Sequence, residues 1–165
     1  DLRPTEPSAA AEAAVRAVRD PLREHGFELT TEIDDEVPPV QGDPDALEQA
    51  ALNLLGNAMK YSGDSSVIDL RVFRRDGHAV LEVEDRGIGI PPEERERIFE
   101  EFYRLGAEEQ DVPGTGLGLT LVSHVAREHG GRVTVESEPG EGSTFGLWIP
   151  LEEESGGEES WEQKS

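Results

Sequence analysis

No cysteine occurs in the 165 residues, which excludes disulfides and thiolate metal sites and suits a cytosolic domain. Basic residues are scarce. Fifteen Lys and Arg stand against 37 Asp and Glu, a formal charge of -22. Nucleic acid and anionic membrane both need a basic surface for counterion release or headgroup attraction, so neither is expected as a partner. No apolar run approaches the length of a membrane span, and the N-terminus lacks a charged and apolar signal pattern. A cytoplasmic domain without direct membrane contact follows as the expectation, whether or not a longer parent is anchored. Histidine is also sparse: none of the four pairs with another at metal-ligand spacing, and no Ser-His-Asp constellation can be assembled. His25 and His129 fall at expected helix ends, where cations are favoured. Lysine is rarest. Lys164 lies in a polar tail, so Lys60 is the only lysine of the expected folded region.

Length and composition fit one domain over residues 1–151, with a Glu-, Ser- and Gly-rich tail at 152–165 that is expected to be disordered. Ala14, Val15, Val18 and Leu22 recur at helical spacing over residues 8–25, where Pro21 should introduce a kink. Residues 27–33 alternate as a half-buried strand, and 36–41 read as a connector. Asp43 followed by Pro44 caps a helix to about residue 61. Strands at 67–73 and 79–84 flank the turn signal Asp76-Gly77. A short helix is expected over 91–101, a loop over 105–113, a helix from the glycines near 114–118 to about 129, and two strands over 132–138 and 143–151. Roughly five strands and three to four helices suit an α+β sandwich, one mixed sheet covered on one face by helices.

Three features carry chemistry. On the helix after Asp43, the polar residues Asn53, Asn57 and Lys60 cluster within roughly 60° of arc, beside an apolar face of Leu47, Ala50, Ala51, Leu54 and Ala58. Two carboxamides and an ammonium can offer neutral oxygens to a hard cation and a positive charge to phosphate. In the strand at 79–84, Leu81 and Val83 share a face, and alternation puts Asp85 on the same inward side. A carboxylate there needs a donor, which an adenine amino group could supply, while Gly87 and Gly89 would let the backbone approach a flat base. An Asx turn from Asp85 to Gly87 explains the same residues equally well. Gly114, Gly116 and Gly118 directly precede a helix, so free N–H groups could meet phosphate oxygens, or the glycines could form a simple hinge.

In order along the chain stand Asn53-Leu-Leu-Gly-Asn57-Ala-Met-Lys60-Tyr61, Asp85-x-Gly87-x-Gly89, Ile98-Phe99-Glu-Glu-Phe102-Tyr103-Arg104 and Gly114-Thr-Gly116-Leu-Gly118-Leu. Together they resemble the N, G1, F and G2 boxes of the catalytic and ATP-binding domain of two-component sensor histidine kinases. The resemblance spans residues 43–151. It implies the Bergerat fold, a two-layer α/β sandwich whose mixed, roughly five-stranded sheet carries three helices on one face, with an ATP lid. It further implies Mg-ATP as ligand and transfer of the γ-phosphate to a histidine. By position, Asp85 would receive the adenine amino group, with Gly87, Gly89 and Ile90 lining the base and Thr144 in contact through water. Asn57 would ligate Mg2+ with Asn53 beside it, while Lys60 and Tyr61 meet phosphate and nucleoside. Gly114, Thr115, Gly116, Leu117, Gly118 and Leu119 would form the lid segment over the phosphates, with Phe99 and Phe102 anchoring it and Arg104 reaching the γ-phosphate.

Asn53 discriminates within that superfamily. Related ATPases and anti-sigma-type serine kinases place a Glu four residues before the metal-binding Asn, as general base for water or a hydroxyl. A carboxamide cannot take that proton, whereas an imidazole already carries a nucleophilic lone pair, so transfer to histidine is the better fit. An ATPase or serine kinase of the same fold, or a nucleotide-sensing module without catalysis, remain the alternatives. Nothing before Asp43 resembles the His-Glu-x-x-Thr-Pro context of the phosphoacceptor. The implied partners are therefore the dimerisation and phosphoacceptor hairpin of the same kinase and a downstream response regulator, with the isolated domain a monomer.

Overall fold

The computed structural model describes residues 2–61, 66–87, 118–138 and 140–151. Its elements are β1 (Arg3–Thr5), α1 (Pro7–Glu24), β2 (Glu28–Ile33), β3 (Val40–Gly42), α2 (Pro44–Tyr61), β4 (Val67–Arg75), β5 (His78–Asp85), α3 (Gly118–Glu128), β6 (Arg132–Glu138) and β7 (Gly142–Pro150). Five strands form one mixed sheet in the order β2-β4-β5-β7-β6, in which β2 and β4 run parallel and the remaining neighbours antiparallel. The α+β sandwich expected from sequence is the fold observed.

Alternation fixes which side of the sheet meets the helices. Ile68, Leu70 and Val72 of β4, Leu81 and Val83 of β5, and Phe145, Leu147 and Ile149 of β7 are buried on one face. Against them pack the apolar stripes of the helices. These are Ala10, Ala11 and Ala14 of α1, Leu47, Ala50, Ala51, Leu54 and Ala58 of α2, and Leu119, Val122, Val125 and Ala126 of α3. The alanines keep the facing helix surfaces thin, so three helices share one sheet face. The other face is polar along β4 and β5, where the Arg71 guanidinium sits 3.1 Å from both Glu82 and Glu84.

Local signals ended the elements largely where chemistry requires. Gly26, at φ +86°, closes α1 in the left-handed conformation, letting the Phe27 N–H donate back to the Leu22 carbonyl at 2.9 Å. Gly130, at φ +74°, does the same for α3, with the Gly131 N–H donating to Ala126 at 2.8 Å. Asp76 and Gly77, at φ 54° and 74°, form the two-residue turn between the paired Arg75 and His78.

Two details depart from the sequence expectation. β1 and β3, three residues each, pair antiparallel as a separate two-stranded sheet, with β3 beginning inside the segment 36–41 that reads as a connector and β1 in residues given no element. Three residues are too few to show alternation. α1 begins at Pro7 and continues through Pro21 to Glu24, so the proline stands in the last turn. The short helix expected over 91–101, the loop over 105–113 and the tail at 152–165 lie outside the described residues.

Candidate functional site

Asp43 builds the start of α2 as its sequence context implies. Its Oδ1 accepts from the Asp45 and Ala46 N–H groups at 3.1 and 3.3 Å, and its carbonyl accepts the Leu47 N–H. A second clasp was not expected. The Asp43 N–H donates to His129 Nε2 at 3.0 Å, while His129 Nδ1 donates to the Val125 carbonyl at 2.7 Å. His129 is buried and holds a lone pair on Nε2, so it ties the end of α3 to the start of α2 as a neutral ring. The cationic role suggested by its place at a helix end does not apply.

Along α2 the carboxamides face different surroundings. Asn57 is buried, 7% exposed, and its Nδ2 donates to the Asn53 carbonyl at 3.0 Å. One amide hydrogen is thereby spent on the helix backbone, and Oδ1 is the atom of Asn57 of the type that a hard cation takes. Asn53, one turn earlier, is half-buried, and its Oδ1 accepts from Gln49 Nε2 at 3.1 Å. Lys60 and Tyr61 close the same helix, and their side chains lie outside what is described.

Asp85 ends β5 on the inward face and is fully buried. Its two oxygens differ. Oδ1 accepts from the Gly87 N–H at 2.8 Å, the Asx turn seen from sequence, whereas Oδ2 is buried without any hydrogen-bond partner. The turn reading and the ligand reading thus each claim one oxygen. Burial dominates the electrostatics and raises the carboxyl to about 6. The Gly87 and Ser143 backbone N–H groups pull it down, and the Glu84 charge adds to the rise. An orphaned, desolvated carboxylate oxygen fits the amino group of an adenine.

The wall beside Asp85 comes from β7 and β6. Ser143 pairs with Asp85 across β5 and β7 and with Ser137 across β7 and β6, so the three form one row on the inward face. They are 0%, 2% and 5% exposed for Asp85, Ser143 and Ser137. Gly142, at φ +101°, lets β7 start against Asp85. Thr144 pairs with Glu84 and Glu136 instead, and alternation turns it to the opposite face. Ser143 is therefore the hydroxyl beside Asp85, and sequence reasoning chose its neighbour. The signal was available, since Phe145 and Leu147 are inward by period two, which sends 143 inward and 144 outward.

The structure thus brings Asp85 to the inner end of the sheet and sets Asn53 and Asn57 on the helix packed over it. α3 starts at Gly118, with Leu119 buried against the core. Gly89, Ile90, Arg104, Gly114, Thr115, Gly116 and Leu117 lie outside the described residues, as do Phe99 and Phe102. Among the described residues no group of three or more His, Cys, Asp or Glu could hold a metal ion.

Known proteins are similar in sequence and in shape. The family described as "Histidine kinase-, DNA gyrase B-, and HSP90-like ATPase" matches residues 42–153. The circadian input-output histidine kinase CikA of Synechococcus elongatus is 39% identical over 123 residues, 74% of this chain and 16% of that protein. The sensor-like histidine kinase SenX3 of Mycobacterium tuberculosis is 46% identical over 112 residues, 67% of this chain and 27% of its own length. The chain thus spans less than a third of these relatives. Among solved structures, the mycobacterial sensor histidine kinase MprB superposes with a TM-score of 0.74 at 32% identity, over 91% of this chain and 97% of that one. Full-length ShkA in complex with AMPPNP gives 0.77 at 30% identity, over 91% and 31%.

Proposed function

The chain belongs to the family of histidine kinase-, DNA gyrase B- and HSP90-like ATPases, and from that premise we propose that it is the catalytic domain of a sensor histidine kinase. In this reading it binds Mg-ATP and passes the γ-phosphate to a histidine on the helical hairpin of its parent kinase. The observation that carries nucleotide binding is the orphaned Oδ2 of Asp85, buried and ready to accept from an exocyclic amino group. An ATP analogue in the ShkA complex supports the same ligand class.

Each residue then has a defined task. Asp85 holds the base through Oδ2 while its Oδ1 keeps the turn to Gly87 closed. Ser143 and Gly142 form the wall against which the base edge lies. Asn57 turns Oδ1 to the metal, while its Nδ2 donates to the Asn53 carbonyl. Mg2+ would screen the triphosphate charge, which matters in a chain of net charge -22. Lys60 and Tyr61 at the end of α2, the glycines 114, 116 and 118, and Arg104 take the phosphate and lid roles that the resemblance gives them.

Asn53 argues for the acceptor. Its carboxamide, already accepting from Gln49, has no basic site with which to deprotonate water or a serine hydroxyl. Histidine needs no such base. Once phosphorylated, the hairpin would pass its phosphoryl group to a response regulator. No described helix is long and apolar enough to cross a membrane, and a cytoplasmic setting for the domain accords with ATP as substrate.

The test mixes this domain with γ-labelled ATP, Mg2+ and the parent's hairpin. Acid-labile, alkali-stable label on the hairpin is expected. An acid-stable hydroxyl ester, or phosphate released steadily without hairpin labelling, would overturn the reading.

A further inference from the structure

The five-stranded sheet has two edges, and they differ in what they present to a second copy of the chain. Among the described residues, β2 and β6 each pair with a strand on one side only. A free edge keeps a row of unpaired N–H and C=O groups, which another strand can extend. On β2 the outward residues Glu28, Thr30 and Glu32 are all exposed. Antiparallel pairing of two β2 strands about Thr30 would set Glu28 against Glu32 twice, and like charges directly opposite oppose association. That edge guards itself.

β6 carries the opposite pattern over seven residues with neither Pro nor Gly. Arg132, Thr134 and Glu136 lie on the outer face, while Val133 and Val135 pack against the core. Trp148 of β7 steadies the outer row, since the Arg132 guanidinium lies 4.5 Å over its ring and Thr134 Oγ1 accepts from its Nε1 at 3.1 Å. Arg132 and Glu136 are exposed, and among the described residues neither forms an ion pair. At a rise of about 3.3 Å per residue they stand roughly 13 Å apart, too far to neutralise each other. A two-fold axis perpendicular to the sheet through Thr134 brings them together across two copies. Each outer residue then opposes an outer one, so Arg132 meets Glu136 at both ends and Val133 meets Val135 beneath.

We propose that β6 is a self-pairing edge, at which two copies of this chain join their sheets antiparallel about Thr134, with Arg132 of each copy opposite Glu136 of the other. The junction is independent of the nucleotide site, and it replaces the monomer expected from sequence with a monomer–dimer equilibrium. A single strand pair is smaller than the roughly 1,200 Å² of a standard interface, so the association is weak and concentration-dependent. The charge of -22 on each copy opposes it at low salt. At about 0.15 M salt the Debye length is about 8 Å, which screens that repulsion while the directly opposed charges stay within reach of each other.

Sedimentation equilibrium of the 165-residue chain at that salt tests this, with thermal melting as the folding control. The wild type should show a concentration-dependent dimer. Arg132→Glu and Glu136→Arg should each weaken it at least about tenfold, because each sets like charges opposite at two places. An equimolar mixture of the two variants should restore dimers, and so should the chain carrying both changes. General loosening of the fold would not be reversed in that way. Since the chain has no cysteine, Thr134→Cys supplies a lone thiol on the two-fold axis and should form an intermolecular disulfide under mild oxidation. Val135→Cys, whose thiol faces Val133 instead of its own copy, should cross-link more slowly. A wild type that stays monomeric to about 1 mM, a dimer that both charge reversals leave intact, or a faster cross-link at Val135 than at Thr134 would overturn the proposal.

Discussion

Gly142 and Asp85 approach so closely that a Cβ on the glycine would fall 2.2 Å from the aspartate's carbonyl oxygen and 2.7 Å from the Arg86 Cα. Gly142 also sits at φ +101°, a conformation that side-chain-bearing residues rarely adopt. The contact sets the start of β7 against the end of β5, and with it the place of Ser143 and the backbone N–H that reaches the carboxylate. Gly142→Ala should therefore cost at least about 2 kcal/mol of stability, since clash and strain coincide. ADP binding should fall with it. Denaturant unfolding at matched slope and a parallel titration check both effects.

Asp85→Asn separates stability from function. A carboxyl raised on folding, from 3.8 to about 6, contributes stability that is complete below its unfolded value and is lost as pH rises through its folded one. Near neutral pH the empty domain therefore carries a buried charge that opposes folding. Removing the charge should stabilise the ligand-free protein by about 1–3 kcal/mol, seen as a melting temperature higher by several degrees. The same change places an amide nitrogen or a weaker acceptor before the base and should weaken ADP at least about tenfold. A variant less stable than wild type near neutral pH, or one that binds ADP normally, would contradict the assignment.

Nucleotide affinity should itself depend on pH. Acidification through about pH 6 protonates the wild-type Asp85 and converts the waiting acceptor into a donor. Affinity should drop there with a slope approaching one proton, and ADP binding just below that pH should release a proton to buffer. Calorimetry in buffers of different ionisation enthalpy measures this directly. Asp85→Asn should flatten the profile.

The inner architecture was legible because it rests on short-range rules. The stripe of α2, the Asp43 cap, the Asp76-Gly77 turn and the inward set of Asp85 all follow from periods and turn chemistry within a few residues. What escaped needed partners distant in sequence. His129 accepts from a backbone N–H 86 residues away, and β1 and β3 exist only because they pair with each other. Ser143 sat between these cases. Its inward direction was readable from Phe145, but its place between Asp85 and Ser137 depends on the registers of three strands, which no single segment encodes.

His129→Phe tests the clasp between α3 and α2. The ring would still fill space, but the Asp43 N–H would lose its acceptor and the Val125 carbonyl its extra donor. A loss of about 1–3 kcal/mol is expected for the part-buried Asp43 N–H left unpaired. Hydrogen exchange should quicken at the Asp43 amide before the centre of the sheet responds. Unaltered exchange at Asp43 would show that the contact carries no stability.

Asn57 and Asp85 should fail in different ways, because one is assigned to the metal and the other to the base. Asn57 meets a cation through Oδ1, its nitrogen donating to the Asn53 carbonyl. Asn57→Ala removes that oxygen while leaving the adenine end, the Gly142 wall and the core stripe of α2 untouched. ADP binding without Mg2+ should then stay within about threefold of wild type, as expected where the lost contact is with the metal. Mg2+-dependent labelling of the hairpin should fall on the order of a hundredfold. Asp85→Asn should weaken ADP whether or not Mg2+ is present. The contrast excludes the trivial explanation that any polar change on this face loosens the site, since loosening would depress both measurements in both variants. Equal losses with and without Mg2+ for Asn57→Ala would mean that its oxygen serves the nucleotide or the fold, and the metal role would pass from it.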